Sequence, residues 1–382
     1  MQPTSPPTSR VPARARRILD GPWGTALAAW AVARICIALG FVVSDLVADH
    51  LRASPAKRLV LEQGLITWDG TYYWNIAHGG YHSIAHDGLR FFPLYPMVSR
   101  VLGWPLGGRE GFTLLLVSNL AALVALVLLH RLVMDVLDDE AVARRAMWCT
   151  ALFPAAAVFA FAYTESLALV LTLVAVLMAR RQRWAWAALA GLGCGLARPV
   201  GVLVALPLAA EAWSQWRTSD RRPNVGLVAA ALAAPVVGLV GFLAWIESEF
   251  GSWRIPLDEQ RKLRGAFQDP VTRLWDAVHL TATSSRRDVF NLAFAILLVG
   301  LLVVVARRFN WGWTAFAAAN LAIAMSSEVI DSVGRYGLMA FPFMVALALV
   351  IRNRDAEVMW LTVSAGGLVA LTTLHLVGGT VP

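Results

Sequence analysis

Residues Trp68 to Pro96 read WDGTYYWNIAHGGYHSIAHDGLRFFPLYP, the only long segment of this chain that is aromatic, polar and punctuated by Gly and Pro at once. On either side the sequence consists mainly of apolar runs. That contrast sets the fold class: an all-α polytopic membrane protein, whose chemistry belongs where polar groups collect between helices or just outside them. Composition agrees. Of 382 residues 58% are hydrophobic and 15% charged, with mean hydropathy +0.60, whereas a soluble chain carries about 25% charged residues. The formal net charge of +8 calls for no nucleic-acid partner, because excess Arg in a membrane protein marks cytoplasmic loops. Cys36, Cys149 and Cys194 all lie in apolar runs and form neither a disulfide framework nor a CxxC metal pattern. Residues 1–20, rich in Pro, Ser, Thr and Arg, read as a disordered basic cytoplasmic tail, and 21–382 as one transmembrane domain. The run from Trp23 to Val43 is long enough to span, so no cleavable signal peptide is expected.

Working outward, apolar spans are expected near 23–43, 112–133, 146–162, 165–180, 184–197, 199–213, 225–246, 289–306, 312–325, 336–351 and 357–377, about eleven in all. Basic clusters occur at Arg10/Arg14/Arg16/Arg17, Arg144/Arg145, Arg180/Arg181/Arg183, Arg217/Arg221/Arg222, Arg307/Arg308 and Arg352/Arg354. All can be cytoplasmic only if an even number of crossings separates each neighbouring pair. This requires the apolar run 184–213 to be two helices meeting at Arg198-Pro199, with Pro199 at a helix start where its missing N–H costs little. The N-terminus is then inside and the C-terminus outside. Five polar segments fall on the outer side: 44–111, Tyr163 to Ser166, Arg198, the loop 247–288, and Ser326 to Arg335. The loop 247–288 carries matched numbers of acids and bases, and long translocated loops are weakly constrained by their charge.

Asp69 is the first candidate for chemistry. It precedes a helical pattern from Gly70 to His78 that ends at Gly79-Gly80. The position fits an N-cap, and it fits a catalytic carboxylate; the two roles are compatible. His78, His82 and His86 are spaced by four, but Gly79-Gly80 and Gly88 argue against one unbroken helix, so no metal site is expected. A histidine that bonds a phosphate or sugar hydroxyl remains open for His78. Phe91 to Pro96 reads as a Pro-stiffened re-entry into the bilayer with interfacial aromatics. Glu165 opens a span after Tyr163-Thr164, where Thr164 would cap and Glu165 would sit well in the first turn. Arg198, between two apolar helices, calls for a phosphate or carboxylate partner. Arg335 pairs with Asp331 on the plainest reading. No Walker or Rossmann loop is present, and Asp138-Asp139 falls on the cytoplasmic side. A carboxylate with several Arg and His groups at one membrane face suits a reaction on a lipid-linked phosphate.

At these residues the sequence resembles the PIG-V-like mannosyltransferases of the GT-C superfamily of membrane glycosyltransferases. The matching pieces are WDGTYYWNIAHGGY (68–81), FFPLYP (91–96), FPAAAVFAFAYTES (153–166), ARPVG (197–201) and SVGRYGLMAFP (332–342). The resemblance implies a GT-C-type fold with its active site on the outer first loop. It implies an inverting transfer of mannose from polyprenyl-phosphate-mannose to a glycolipid hydroxyl on the non-cytoplasmic face, without a cofactor. By position Asp69 becomes the base. Arg335, Tyr336, Arg198 and His78 are expected at the donor phosphate or sugar, and Trp68, Tyr72, Tyr73, Tyr81, Tyr163 and Glu165 in the pocket or at the acceptor. Two features depart from the family pattern: the interval from Tyr81 to Phe91 is long, and Arg90 stands where a small residue is usual, with Asp87 the candidate for an acidic residue in that loop. The Ala- and Arg-rich composition points to a bacterial plasma membrane, where an envelope lipid such as a phosphatidylinositol mannoside would be the acceptor. The rival class is a transporter or flippase for a lipid-linked sugar, but no internal repeat of the kind common in transporters is visible.

Overall fold

A computed structural model describes residues 21–50, 60–218, 222–280, 286–327 and 332–379. The tail with its arginines, Arg221 and Asp331 lie outside the described residues. The helices in chain order are α1 (Pro22–His50), α2 (Asp69–Gly79), α3 (Leu94–Gly103), α4 (Glu110–Leu137), α5 (Glu140–Leu152), α6 (Glu165–Arg180), α7 (Trp184–Ala197), α8 (Ala205–Thr218), α9 (Val225–Phe250), α10 (Ile255–Arg264), α11 (Pro270–Leu280), α12 (Arg286–Arg308), α13 (Trp311–Met325), α14 (Val333–Met339), α15 (Phe341–Val350) and α16 (Arg354–Leu376). Among the described residues five have the length and apolarity to cross a membrane unaided: α1, α4, α9, α16 and the stretch Asn291–Arg308 of α12. The bent pair α14–α15 could supply a sixth. These helices keep large apolar side chains on the outside, as with Ile35, Leu39 and Leu46 on α1 and Val236, Val237 and Val240 on α9. Water would penalise such a surface and lipid would not. The chain is an integral membrane protein.

Each expected apolar run contains helix, but prolines divide two of them. In 146–162, α5 stops at Leu152 and a 3-10 turn, Pro154–Phe159, comes next. Pro154 has no N–H to continue the ladder. In 336–351, α14 and α15 meet at 88° beside Ala340. Pro342 in the first turn of α15 likewise begins a new helix rather than extending the old one. The expected break at Arg198-Pro199 is present. Arg198 is extended (φ −159°, ψ 151°), as the residue before a proline prefers, and the turn Pro199–Val204 leads into α8.

Close packing fixes where that break lies. α7 and α9 cross in backbone contact: a Cβ on Gly195 would lie 1.9 Å from the Pro235 carbonyl oxygen, and one on Gly238 2.5 Å from that of Leu192. Small residues at such a crossing let two membrane helices approach. The apolar core centres on Phe153, Phe161, Trp313, Phe341 and Phe343, all fully buried. At one end of this body the five polar segments meet. Gln268 N donates to Ser326 O (3.3 Å), and Phe267 bridges Ser327. α10 packs on the turn His86–Arg90. The other polar segments join there through their side chains, with Asp69, Glu165, Arg198 and Arg335 in direct contact.

Candidate active site

α2 begins in an unusual way. Its N-cap is Trp68, at φ 57° and ψ −124°, a positive φ that a bulky residue seldom adopts. The indole offsets that strain by donating from Nε1 to His375 O (3.0 Å), which ties the helix start to α16. The first amides are satisfied by backbone: Gly70 N bonds Thr67 O and Thr71 N bonds Trp68 O, both at 3.1 Å. Asp69 is therefore the first helical residue rather than the cap. The carboxylate turns instead to Arg335, whose NH2 donates to Oδ2 at 2.8 Å.

Arg335 continues inward. Its Nε donates to Oε1 of Glu165, and Arg198 NH1 donates to the same oxygen. Glu165 is fully buried, and Arg335 is 7% exposed. Asp69, Arg335, Glu165 and Arg198 thus form one chain of alternating charge drawn from α2, α14, α6 and the α7 break. Burial of this kind is tolerable only because each charge meets an opposite one. The capping expected of Tyr163-Thr164-Glu165 is not what holds them: Thr164 is the N-cap of α6 but makes no side-chain cap bond. Among the described residues the Tyr163 hydroxyl, the Thr164 hydroxyl and Glu165 Oε2 are buried without a hydrogen-bond partner, and most buried polar groups do not stay so.

Aromatic rings line the chain. The Arg335 guanidinium lies 4.9 Å from the Tyr163 ring centre, and Arg198 lies 5.8 Å from that of Tyr336. Tyr336 also receives Arg264, the last residue of α10, at 5.6 Å from its ring, with Arg264 NH1 3.4 Å from its hydroxyl. Arg264 pairs with no carboxylate among the described residues. Sequence reasoning overlooked it because 247–288 was weighed as a near-neutral whole; the only signal was its place just before Gly265, at a helix end.

The remaining candidates separate into two groups. Tyr72 hydrogen-bonds Asp87, stacks on Phe91 (4.8 Å) and carries Arg90 over its ring (5.2 Å). Burial, followed by the Asp87 bond, pushes the Tyr72 hydroxyl above its ordinary pKa. Tyr73 is buried edge-on against Phe91 and Tyr95. These rings hold the outer loop against the site, with Asp69 among the charges that act on both hydroxyls. Tyr81 instead bonds Phe91 O (2.7 Å) and packs on Phe242 and Trp245, bracing the re-entrant turn. His78 lies nine residues along α2 from Asp69, a rise of about 13 Å, stacked on Trp74 and 3.5 Å from Glu110. The structure does not bring it to the ionic chain. Because α2 ends at Gly79, His82 faces Glu249 and His86 opens the next turn, so the three histidines share no face. A cavity of about 490 Å³ opens beside Phe41, Asp45, Asp49, Leu61 and Glu62, and no member of the ionic chain lines it.

The family described as Mannosyltransferase (PIG-V) matches residues 46–208, somewhat under half of the chain. That stretch is similar to the family. It contains Asp69, Glu165 and Arg198, three of the four members of the ionic chain, while Arg335 and Arg264 come from beyond it. Among solved structures, the Archaeoglobus fulgidus oligosaccharyltransferase, crystallised with Zn and sulfate, is similar at 14% identity and a TM-score of 0.42, over 89% of this chain and 52% of that one. The chain thus spans about half the length of that protein. No curated protein matches.

Proposed function

We propose that the chain is an inverting glycosyltransferase that moves mannose from polyprenyl-phosphate-mannose to a hydroxyl of a glycolipid, on the outer face of a bacterial plasma membrane. The N-terminus is then cytoplasmic, and 44–111 and 247–288 are outer loops. The observation that carries this reading is the arrangement of Asp69. One carboxylate oxygen is tethered to Arg335, and no bond to the other is found among the described residues. A base held in this way can accept a proton without being free to turn.

In the proposed reaction Asp69 takes the proton of the acceptor hydroxyl. The hydroxyl oxygen attacks the anomeric carbon on the face opposite the phosphate. The bond from that carbon to the phosphate oxygen breaks, and the polyprenyl phosphate leaves with the electron pair. One base is enough for inversion; a covalent sugar intermediate would need a second nucleophile.

The contacts redistribute the roles expected of the arginines. Arg335 and Arg198 are committed to Glu165 and Asp69 and hold the base in place. Arg264, half-buried and without a carboxylate among the described residues, is a guanidinium available to the donor phosphate. Asp69, Asp87 and Glu165 set against Arg90, Arg198, Arg264 and Arg335 leave a positive charge in excess, which suits an anionic leaving group. The unpaired hydroxyls of Tyr163 and Thr164 are groups that sugar hydroxyls or water would satisfy. Membranes containing the protein, given labelled polyprenyl-phosphate-mannose and a panel of envelope lipids including phosphatidylinositol mannosides, test the reading. A new mannolipid is expected. Label that changes membrane face without forming a new glycosidic bond would replace this reading with transport.

A further inference from the structure

α1 is apolar from Pro22 to Ser44 except for one charged residue, Arg34. It lies twelve residues into the helix, about 18 Å along its axis. A lone arginine at such depth is costly and needs a reason. No carboxylate pairs with it among the described residues. Its donors point at amide groups instead: Nε to Asn119 Oδ1 of α4 (2.8 Å) and NH2 to the Phe159 carbonyl (2.7 Å). The guanidinium also lies 4.7 Å from the ring centre of Trp30, whose Nε1 donates to Asn119 O (3.1 Å). Asn119 in turn donates from Nδ2 to the Ala160 carbonyl (3.2 Å).

Two helices therefore aim donors at consecutive carbonyls, Phe159 and Ala160, where the turn Pro154–Phe159 ends. Carbonyls at the end of a helical turn lack internal partners, and lipid supplies none. Just beyond these carbonyls the chain enters the ionic site. Ala162 N donates to Leu65 O (2.8 Å), four residues before Asp69. A Cβ on Gly70 would meet that of Ala162 at 3.3 Å, so the turn packs directly against the start of α2. Three residues beyond Ala162 is Glu165, which holds Arg198 and Arg335. Glu165 thus follows in sequence on the segment that Arg34 and Asn119 grip, and the start of α2 that carries Asp69 packs against it.

We propose that Arg34, acting with Asn119, is a positioning residue: its guanidinium fork fixes the Phe159–Ala160 turn and through it sets Glu165 and Asp69. Arginine suits this task because two neighbouring donors in one plane reach a side-chain oxygen and a backbone oxygen together. Lysine brings a point charge and no fork. A merely helix-joining role would loosen the bundle as a whole when lost. A positioning role loosens two named segments and slows the reaction while leaving donor binding intact.

The experiment compares full-length wild type, Arg34→Lys, Arg34→Gln and Asn119→Ala in lipid nanodiscs. Amide hydrogen exchange is followed in peptides covering 60–72 and 157–166, with α7 and α8 as the reference. Arg34→Lys is expected to speed exchange in both site segments by about tenfold and to leave α7 and α8 unchanged. The activity arm rests on the mannosyl transfer proposed above. There kcat should fall by about tenfold or more, with the donor KM within about twofold of wild type. Asn119→Ala should repeat the pattern more weakly, because Arg34 keeps its bond to Phe159. Arg34→Gln serves as the second variant if Arg34→Lys does not fold. Unchanged exchange in 60–72 and 157–166, an even rise through all helices, or a raised KM with kcat intact would each overturn the proposal. If wild type transfers no mannose, the functional reading fails while the exchange pattern still decides the role of Arg34.

Discussion

At one end of the molecule Glu165 lies fully buried between Arg198 and Arg335. At the other, Glu140 meets Arg144 one helical turn along α5, with nearly half of each side chain in solvent. Arg181 and Asp135 make a similar half-exposed pair there. The residue types are the same and the energetics are not. An exposed pair contributes about 0–1 kcal/mol, because water solvates both charges almost as well as they solvate each other. A buried chain costs desolvation at every member, and breaking it strands a charge at a cost of about 3–5 kcal/mol. The exposed pairs secure helix ends at little cost. The buried chain is a poor way to gain stability, and that is a ground for the function proposed for it.

The contrast can be broken by substitution, starting with the largest effect. Glu165→Gln removes the negative charge shared by two guanidinium groups. Stability should fall by about 3–5 kcal/mol in a denaturant or thermal titration, and mannosyl transfer should be lost with it. Arg264→Gln tests the cation that lies on Tyr336. The donor KM should rise about tenfold, with unfolding unchanged, because no carboxylate among the described residues depends on Arg264. A comparable stability loss in Arg264→Gln would make it part of the fold. The smallest effect belongs to the far end: Arg144→Ala should change stability by less than about 1 kcal/mol. The pH dependence of that difference has a definite sign. The Arg144 hydrogen bond, aided by His130, holds the Glu140 carboxyl below its ordinary pKa. The small gain is therefore complete above the ordinary glutamate value of 4.5 and fades as pH falls below it. Unfolding of wild type and Arg144→Ala at pH 7 and pH 4 measures it.

Much of this was legible beforehand. Asp69, Glu165, Arg198 and Arg335 each stand out as polar residues in apolar or Gly-punctuated surroundings, and parity of the basic clusters locates the break at Arg198-Pro199. Their partners were not legible, because local rules suggested nearer ones. Asp69 has the look of a cap, but the positive φ of Trp68 moves the helix start by one residue, and no pattern announces that. Glu165 fits a first turn, yet its oxygen is taken by arginines 33 and 170 residues away. Pro154 and Pro342 signalled the divided runs, but continuous apolarity hid them. Arg34 was masked by the same means, as one charge inside an otherwise apolar span.

The central claim is that the buried ionic chain serves Asp69 as a base, and one comparison tests it most directly: mannosyl transfer from labelled polyprenyl-phosphate-mannose by wild type and by Asp69→Asn, with the unfolding of both measured alongside. The substitution keeps the shape and removes the proton acceptor. Transfer should fall by about 10²–10⁴-fold, the range general-base catalysis supplies, while Asp69→Asn stays folded and embedded in the membrane. Equal transfer by the two proteins would contradict the account and leave Asp69 as a structural partner of Arg335.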